Sequence, residues 1–114
     1  MYQLLVACAI SSLLLGTPVH ANDLCDGWSE RNAGALDVQM RECAPDRRDA
    51  AGRGLFKVEI KNDRQRTIAV KIVAIDQDGK RMSWDNLLRP GRTIDRAVFA
   101  RDVTWQVEAR FEFE

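Results

Sequence analysis

The side chains that could do chemistry in this sequence are carboxylates, arginines and cysteines. The chain of 114 residues has 17 acidic and 17 basic residues, three cysteines and one histidine, His20. Nucleophilic catalysis by serine or cysteine needs a base that titrates near neutral pH, which is most often histidine. His20 lies in an uncharged N-terminal segment, so this chemistry is not expected. The sequence therefore predicts a protein that is not an enzyme and that uses no cofactor.

Carboxylates are the remaining candidates for catalysis or metal binding. Asp76, Asp78 and Asp85 are close in sequence, and Glu108 lies on an alternating run near the C-terminus. A catalytic acid needs a cleft that raises the pKa of one carboxyl group. A calcium loop of the EF-hand type needs an oxygen ligand at its first position, where this sequence has Ala74. We therefore expect turn residues, a solvated face and no metal site, with a small carboxylate-based enzyme as the alternative.

The first 21 residues have the pattern of a signal peptide. Leu4–Leu15 is apolar apart from two serines and is too short for a membrane-spanning helix. Val19-His20-Ala21 then fits the small-x-small rule of signal peptidase. Cleavage between Ala21 and Asn22 is predicted, which leaves a mature domain of residues 22–114 in the bacterial periplasm or the medium, without a stable membrane anchor. A retained N-terminal anchor is the alternative, because no basic side chain precedes the apolar run.

The predicted export bears on whether the cysteines form a disulfide. Cys25 and Cys43 are the only two that remain after cleavage, and thiols oxidise outside the cytosol. We therefore predict a disulfide between them. A free thiol pair or a metal site is disfavoured, because the mature chain has no histidine and its cysteines do not have CxxC spacing.

Most of the mature chain alternates between apolar and polar residues with a period of two, which predicts β-strands. The segment Ala33–Cys43 fits a strand or a helix, and a glycine near its start favours the strand. Met82–Leu88 is predicted as a short strand or a loop. The clearest strand patterns are Leu55–Lys61, Ile68–Ile75, Thr93–Ala100 and Trp105–Glu114.

Turn sequences separate these runs. Asp76-Gln77-Asp78-Gly79 predicts a hairpin loop, and Arg89-Pro90-Gly91-Arg92 predicts a reverse turn with a positive φ at its glycine. The strand from Ile68 is apolar on both faces and is expected to be central and partly covered on both sides. Six or seven short strands without a convincing helix after the signal helix indicate a mainly β fold. We predict a single antiparallel β-sandwich, with a small β-barrel as the alternative.

The order of these elements resembles small immunoglobulin-like β-sandwich modules of bacterial exported proteins. The resemblance rests on a long hydrophobic strand, the D-x-D-G hairpin, and Leu88-Arg89-Pro90-Gly91 before the next strand, and it covers Leu55–Glu114. It implies a fold that commonly binds proteins or glycans. The cysteines differ from those of antibody-type domains because they lie close together near the N-terminus. No functional residue is transferred from the resemblance.

Three residues are candidates for a contact surface. Arg64 and Arg66 lie in a loop, and arginine is enriched at protein interfaces because it forms bidentate pairs. Trp84 stands in a polar segment without an evident apolar stripe to join, so it is expected as an exposed anchor for a protein or a sugar. The balanced charge and the predicted export argue against nucleic acid as a partner.

Together these features predict an exported, non-catalytic binding protein of the cell envelope. Its expected partner is another exported or envelope protein, and a glycan is the alternative ligand. A narrower version is an inhibitor or immunity protein that blocks a secreted hydrolase. A structural subunit of an envelope assembly, in which an edge strand pairs with a neighbour, is a further alternative.

Overall fold

The fold consists of seven β-strands in the part of the chain that the structure covers. The structure is a computed structural model that describes residues 24–113. The predicted signal peptide and its cleavage site lie outside the described residues. The strands are β1 (Ser29–Ala33), β2 (Leu36–Cys43), β3 (Gly54–Lys61), β4 (Ile68–Asp76), β5 (Arg81–Leu88), β6 (Thr93–Ala100) and β7 (Val103–Phe111).

These strands form two open sheets that pack as a β-sandwich, as the sequence predicts. A four-stranded sheet has the order β1-β2-β3-β6, and a three-stranded sheet has the order β5-β4-β7. Every neighbouring pair of strands is antiparallel. A parallel β-bridge joins Gly34, in the turn between β1 and β2, to Ala109 of β7. This bridge connects the two sheets along one side of the sandwich.

The core consists of alternate residues from the facing sides of the two sheets. Val58 and Ile60 of β3 belong to the same buried cluster as Ile68 and Ile72 of β4, and all four have 0% exposure. Burying a side chain of this size stabilises a fold by about 1.5–3 kcal/mol. Many of their neighbours along each strand face solvent, so the period of two in the sequence is also the period of burial.

The structure resolves the segment that fitted either a strand or a helix. Val38 and Met40 of β2 both face the core at a spacing of two, which confirms the strand. β4 is the central strand of its sheet, as expected. β1 has the sequence Ser-Glu-Arg-Asn-Ala and was not predicted, because it lacks apolar alternation. Gly34 adopts a φ of 82° in the turn that folds β1 onto β2.

Cys25 and Cys43 form a disulfide, which confirms the predicted pairing. The bond ties the segment before β1 to the end of β2, and the N–H of Asp26 donates to the Glu42 carbonyl at 2.8 Å beside it. A structural disulfide is consistent with an oxidising, exported location. Among the described residues, no helix has the length and apolar character needed to cross a membrane.

An ion-paired carboxylate lies on the outer face of the four-stranded sheet. Glu59 accepts a hydrogen bond from Arg41 Nε and lies 3.1 Å from Lys57 Nζ, and 12% of its side chain is exposed. Desolvation raises the pKa of Glu59, but the hydrogen bonds and charges of Arg41 and Lys57 outweigh it and hold the pKa below its ordinary value. The ionised form of Glu59 therefore stabilises the fold.

Glu59→Gln is expected to weaken the dependence of stability on acid pH. The folded pKa of Glu59 lies below its unfolded pKa, so its contribution is complete above the unfolded pKa of about 4.3 and is lost as the pH falls through the folded pKa. Urea denaturation from about pH 7 down to about pH 3 measures this loss. Wild type should lose more stability than the variant below the unfolded pKa, and Glu108→Gln, at an exposed position, is the control. Equal acid dependence in wild type and Glu59→Gln would contradict the role of this carboxylate.

Candidate functional site

Two loops at one end of the sandwich carry four arginines. Arg64 and Arg66 lie in the loop between β3 and β4, and Arg89 and Arg92 lie in the turn between β5 and β6. We call this set of four residues the arginine end. Its geometry depends on Asn62, which follows β3 directly.

The Asn62 side chain is buried and joins the two loops. Asn62 is 1% exposed. Its Nδ2 donates to the carbonyls of Arg66 and Leu88, at 2.8 Å in both cases, and its Oδ1 accepts from the Arg64 N–H at 2.9 Å. Both side-chain donors are therefore used. The Asn62 side chain therefore fixes the backbone at Arg64, at Arg66 and at Leu88, the last residue of β5.

The turn between β5 and β6 is attached to the main chain of Asn62 as well. The Asn62 N–H donates to the Arg92 carbonyl at 2.9 Å, and the Asn62 carbonyl accepts from the Gly91 N–H at 2.7 Å. The turn is closed by the Arg92 N–H, which donates to the Arg89 carbonyl at 3.1 Å, and Gly91 has a φ of 79°. These observations confirm the predicted reverse turn with a positive φ at glycine.

The two arginines of the β3–β4 loop lie against one aromatic ring. The guanidinium carbon of Arg66 is 4.0 Å from the centre of the Phe111 ring, and that of Arg64 is 6.0 Å from it. Arg64 Nη2 also donates to the Asp37 carbonyl at 2.9 Å, and Arg66 Nη2 donates to the Phe113 carbonyl. Cation–π and backbone contacts hold a guanidinium in place without neutralising its charge.

None of the four arginines has an acidic side chain within 4.0 Å in the described part of the chain. Arg64 is half-buried, and the other three are exposed. The buried Nε of Arg64 also has no hydrogen-bond partner among these residues. The exposed guanidinium groups of Arg66, Arg89 and Arg92 can form charge-assisted hydrogen bonds with carboxylates of another molecule.

A depression of about 450 Å³ lies beside the β3–β4 loop. Phe111 forms part of its wall, and the two loop arginines form another part. Its complete lining is Glu30, Asp63, Arg64, Gln65, Arg66 and Phe111. The depression therefore combines a concave surface with two basic and two acidic side chains.

Trp84, the third predicted contact residue, lies away from the arginine end. In the pairing of β4 with β5, Trp84 lies opposite Ile72. The centre of its ring is 6.5 Å from the centre of the Trp105 ring. Trp84 is half-buried and packs against the core. Its apolar neighbours come from other strands, which is why its local sequence did not reveal them. This packing corrects the expectation that Trp84 joins no apolar stripe, and it removes the reason for placing Trp84 at a binding surface.

Of the four carboxylates considered for catalysis, Asp85 and Glu108 line one depression, and Asp76 and Asp78 lie outside it. Asp76 Oδ1 accepts from the Asp78 N–H at 2.9 Å and so stabilises the β4–β5 turn. Asp85 and Glu108 flank Lys71 on the exposed outer face of the three-stranded sheet, along an open depression of about 610 Å³. Within the described chain, no group of three histidine, cysteine, aspartate or glutamate residues could hold a metal ion.

Arg89 and Arg92 are functional candidates that the sequence did not identify. Their proximity to Arg64 depends on a hydrogen bond between Asn62 and Leu88, which are separated by 26 positions. The available signal was a Pro-Gly turn with an arginine on each side. That signal predicts an exposed pair of arginines, but it does not predict which loop lies next to it.

Comparison of the chain with protein-family models, with curated proteins and with solved structures gives no match. Function is therefore inferred from the surface of this chain itself.

Proposed function

We propose that this protein is an exported, non-catalytic binding domain of the bacterial cell envelope that recognises an acidic surface of another exported protein. The arginine end is the recognition site. The observation that carries the proposal is a set of four arginines on two joined loops, none with an acidic side chain within 4.0 Å in the described chain, of which Arg64 and Arg66 have their guanidinium groups held against Phe111. The signal-peptide pattern and the disulfide support the exported location. Inhibition of a secreted hydrolase is one form that this function takes.

The fixed loops, and the fixed guanidinium groups of Arg64 and Arg66, favour binding energetically. Flexible arginines lose side-chain and loop freedom when they bind, which costs about 0.5–1.5 kcal/mol for each side chain. Here Asn62 already orders both loops, and Phe111 already orders two of the guanidinium groups. The four arginines outnumber Glu30 and Asp63 beside them, and an excess of positive charge accelerates association with an acidic surface at low salt.

Loss of partner capture is the expected result of removing these charges. Mature protein immobilised on a resin is exposed to envelope extract, and the recovered proteins are quantified by mass spectrometry. The double variants Arg64→Ala/Arg66→Ala and Arg89→Ala/Arg92→Ala should each reduce recovery of the proteins enriched by wild type by about tenfold or more, because a charged interface contact is worth 2 kcal/mol or more when truncated.

The control for capture is the double variant Arg47→Ala/Arg81→Ala. Both residues are exposed, form no ion pair in the described chain and lie outside the arginine end. The control should recover the same proteins as wild type, and circular dichroism should show that all variants are folded. The proposal is overturned if wild type enriches no protein, or if the control loses as much recovery as the two test variants.

A further inference from the structure

Strand β5 is an edge strand, and its free edge is open. The Asp76 N–H donates to the Lys80 carbonyl at 3.0 Å, which sets the alternation of the ladder between β4 and β5. Even-numbered residues of β5 therefore direct their N–H and C=O groups toward β4, and odd-numbered residues direct theirs toward the free edge. Among the described residues, no other backbone group bonds to the outward groups of Arg81, Ser83 and Asp85.

The other three edge strands are obstructed. Arg31 of β1 and Arg96 of β6 lie in register with buried valines of the neighbouring strands, so both point toward the inside of the sandwich. An inward-pointing charge of this kind protects a strand edge from pairing. The edge of β7 is filled in part by the bridge between Gly34 and Ala109. β5 has no inward-facing charge and no such bridge in the described chain.

Two opposite charges lie at equal distances from Ser83 on the outer face of β5. Arg81 and Asp85 are both exposed, and neither is within 4.0 Å of a group of opposite charge in the part of the chain that the structure describes. Asp85 lies opposite Lys71 of β4, which in turn lies opposite Glu108 of β7. The charge thus alternates across the sheet, and a base would continue this row beyond Asp85.

Two apolar side chains flank Ser83 on the inner face of β5. Met82 is 43% exposed, and Trp84 packs against Trp105 but is only half-buried. A thioether sulfur forms favourable contacts with aromatic rings. An additional strand at this edge would satisfy the outward backbone groups and cover both apolar side chains at the same time.

We propose that two copies of this chain pair through their β5 edges, antiparallel, about a two-fold axis at Ser83. The pairing joins two three-stranded sheets into one sheet of six strands. On the outer face, Arg81 of each copy lies opposite Asp85 of the other. On the inner face, Met82 of each copy lies opposite Trp84 of the other. The inference goes beyond the proposed function and does not depend on it, since one arginine end is contained in one copy.

The charges of β5 favour this register and a second copy as the occupant of the edge. Moving the axis by two residues, to Arg81 or to Asp85, would place two like charges opposite each other. Moving it by one residue in either direction would leave Arg81 opposite an uncharged residue. With the axis at Ser83, the row across the joined sheet is Glu108, Lys71, Asp85 and then Arg81 of the second copy. Its charges alternate over four strands, so the edge is complementary to itself.

The variants Arg81→Glu and Asp85→Arg test the pairing and its register together. Each variant alone places like charges at both cross-strand pairs of its dimer, whereas a mixed dimer of the two variants has opposite charges at both pairs. Sedimentation equilibrium of the mature protein should give a concentration-dependent dimer for wild type. The dissociation constant should rise by about tenfold for each variant alone, because two pairs change from attraction to repulsion. An equal mixture should recover dimerisation, which also shows that both variants are folded.

The matched control is Glu108→Arg. Glu108 is an exposed acid that lies opposite Lys71, as Asp85 does, but it belongs to β7, so this variant should dimerise like wild type. Ser83→Pro removes the N–H at the axis and no hydrogen bond to β4, so it should be monomeric. The proposal is overturned if wild type is monomeric up to about 1 mM, if Glu108→Arg weakens the dimer as much as Asp85→Arg, or if the mixture dimerises no better than either variant alone.

Discussion

Replacement of Asn62 by alanine should lower the free energy of unfolding by about 3–5 kcal/mol. The substitution leaves the Arg66 and Leu88 carbonyls and the Arg64 N–H without their partner. An unsatisfied buried polar group costs about 1–3 kcal/mol, and the exposed end of the loop partly recovers by binding water. Urea denaturation at neutral pH measures the change.

The matched control is Asn32→Ala. Asn32 lies in β1 beside the β1–β2 turn, and its Nδ2 donates to the Gly34 carbonyl at 3.3 Å, but the side chain is exposed. This control should cost less than about 1 kcal/mol, as is usual for exposed positions. If Asn62→Ala cost no more than Asn32→Ala, Asn62 would not hold the two loops together, and the preorganisation of the arginine end would lose its basis.

Removal of the disulfide is expected to have the second large effect. Cys25 and Cys43 are 18 positions apart, and a loop of that size stabilises a fold by about 3 kcal/mol in the chain-entropy model. The double variant Cys25→Ser/Cys43→Ser should lose that amount in urea denaturation. Its yield should fall in the exported compartment, while cytosolic expression, in which the bond does not form, should change little.

Reduction of the wild type by dithiothreitol provides the check on this prediction. Reduced wild type should unfold at the same urea concentration as the double variant, and the variant should not respond to dithiothreitol. Identical unfolding of oxidised and reduced wild type would contradict a stabilising role for the bond.

The strands were predictable because local patterns determine them. Val58 and Ile60 alternate with charged residues, and this alternation is the burial pattern of β3. The Pro90-Gly91 turn was predictable for a different reason, since proline fixes one φ and glycine accepts a positive one. The disulfide followed from composition, because two cysteines in a chain with a predicted signal peptide leave a single pairing.

Features that depend on contacts between distant segments were not predictable. β1 has no apolar alternation and becomes a strand by pairing with β2. Trp84 is surrounded by polar residues in sequence, yet strands from elsewhere in the chain place apolar neighbours around it. Arg64 was identified by residue type, but its grouping with Arg89 depends on Asn62, whose role becomes visible only in the folded chain.

The most direct test of recognition through the arginine end is hydrogen–deuterium exchange of the mature protein with and without the protein that wild type captures from envelope extract. Slower exchange is predicted for residues 62–67 and 88–92, the two loops that carry the four arginines. Residues 76–80, at the other end of β4, should exchange at the same rate in both samples. Unchanged exchange in the two arginine loops, together with protection at residues 76–80 or on the outer face of the three-stranded sheet, would contradict the proposal.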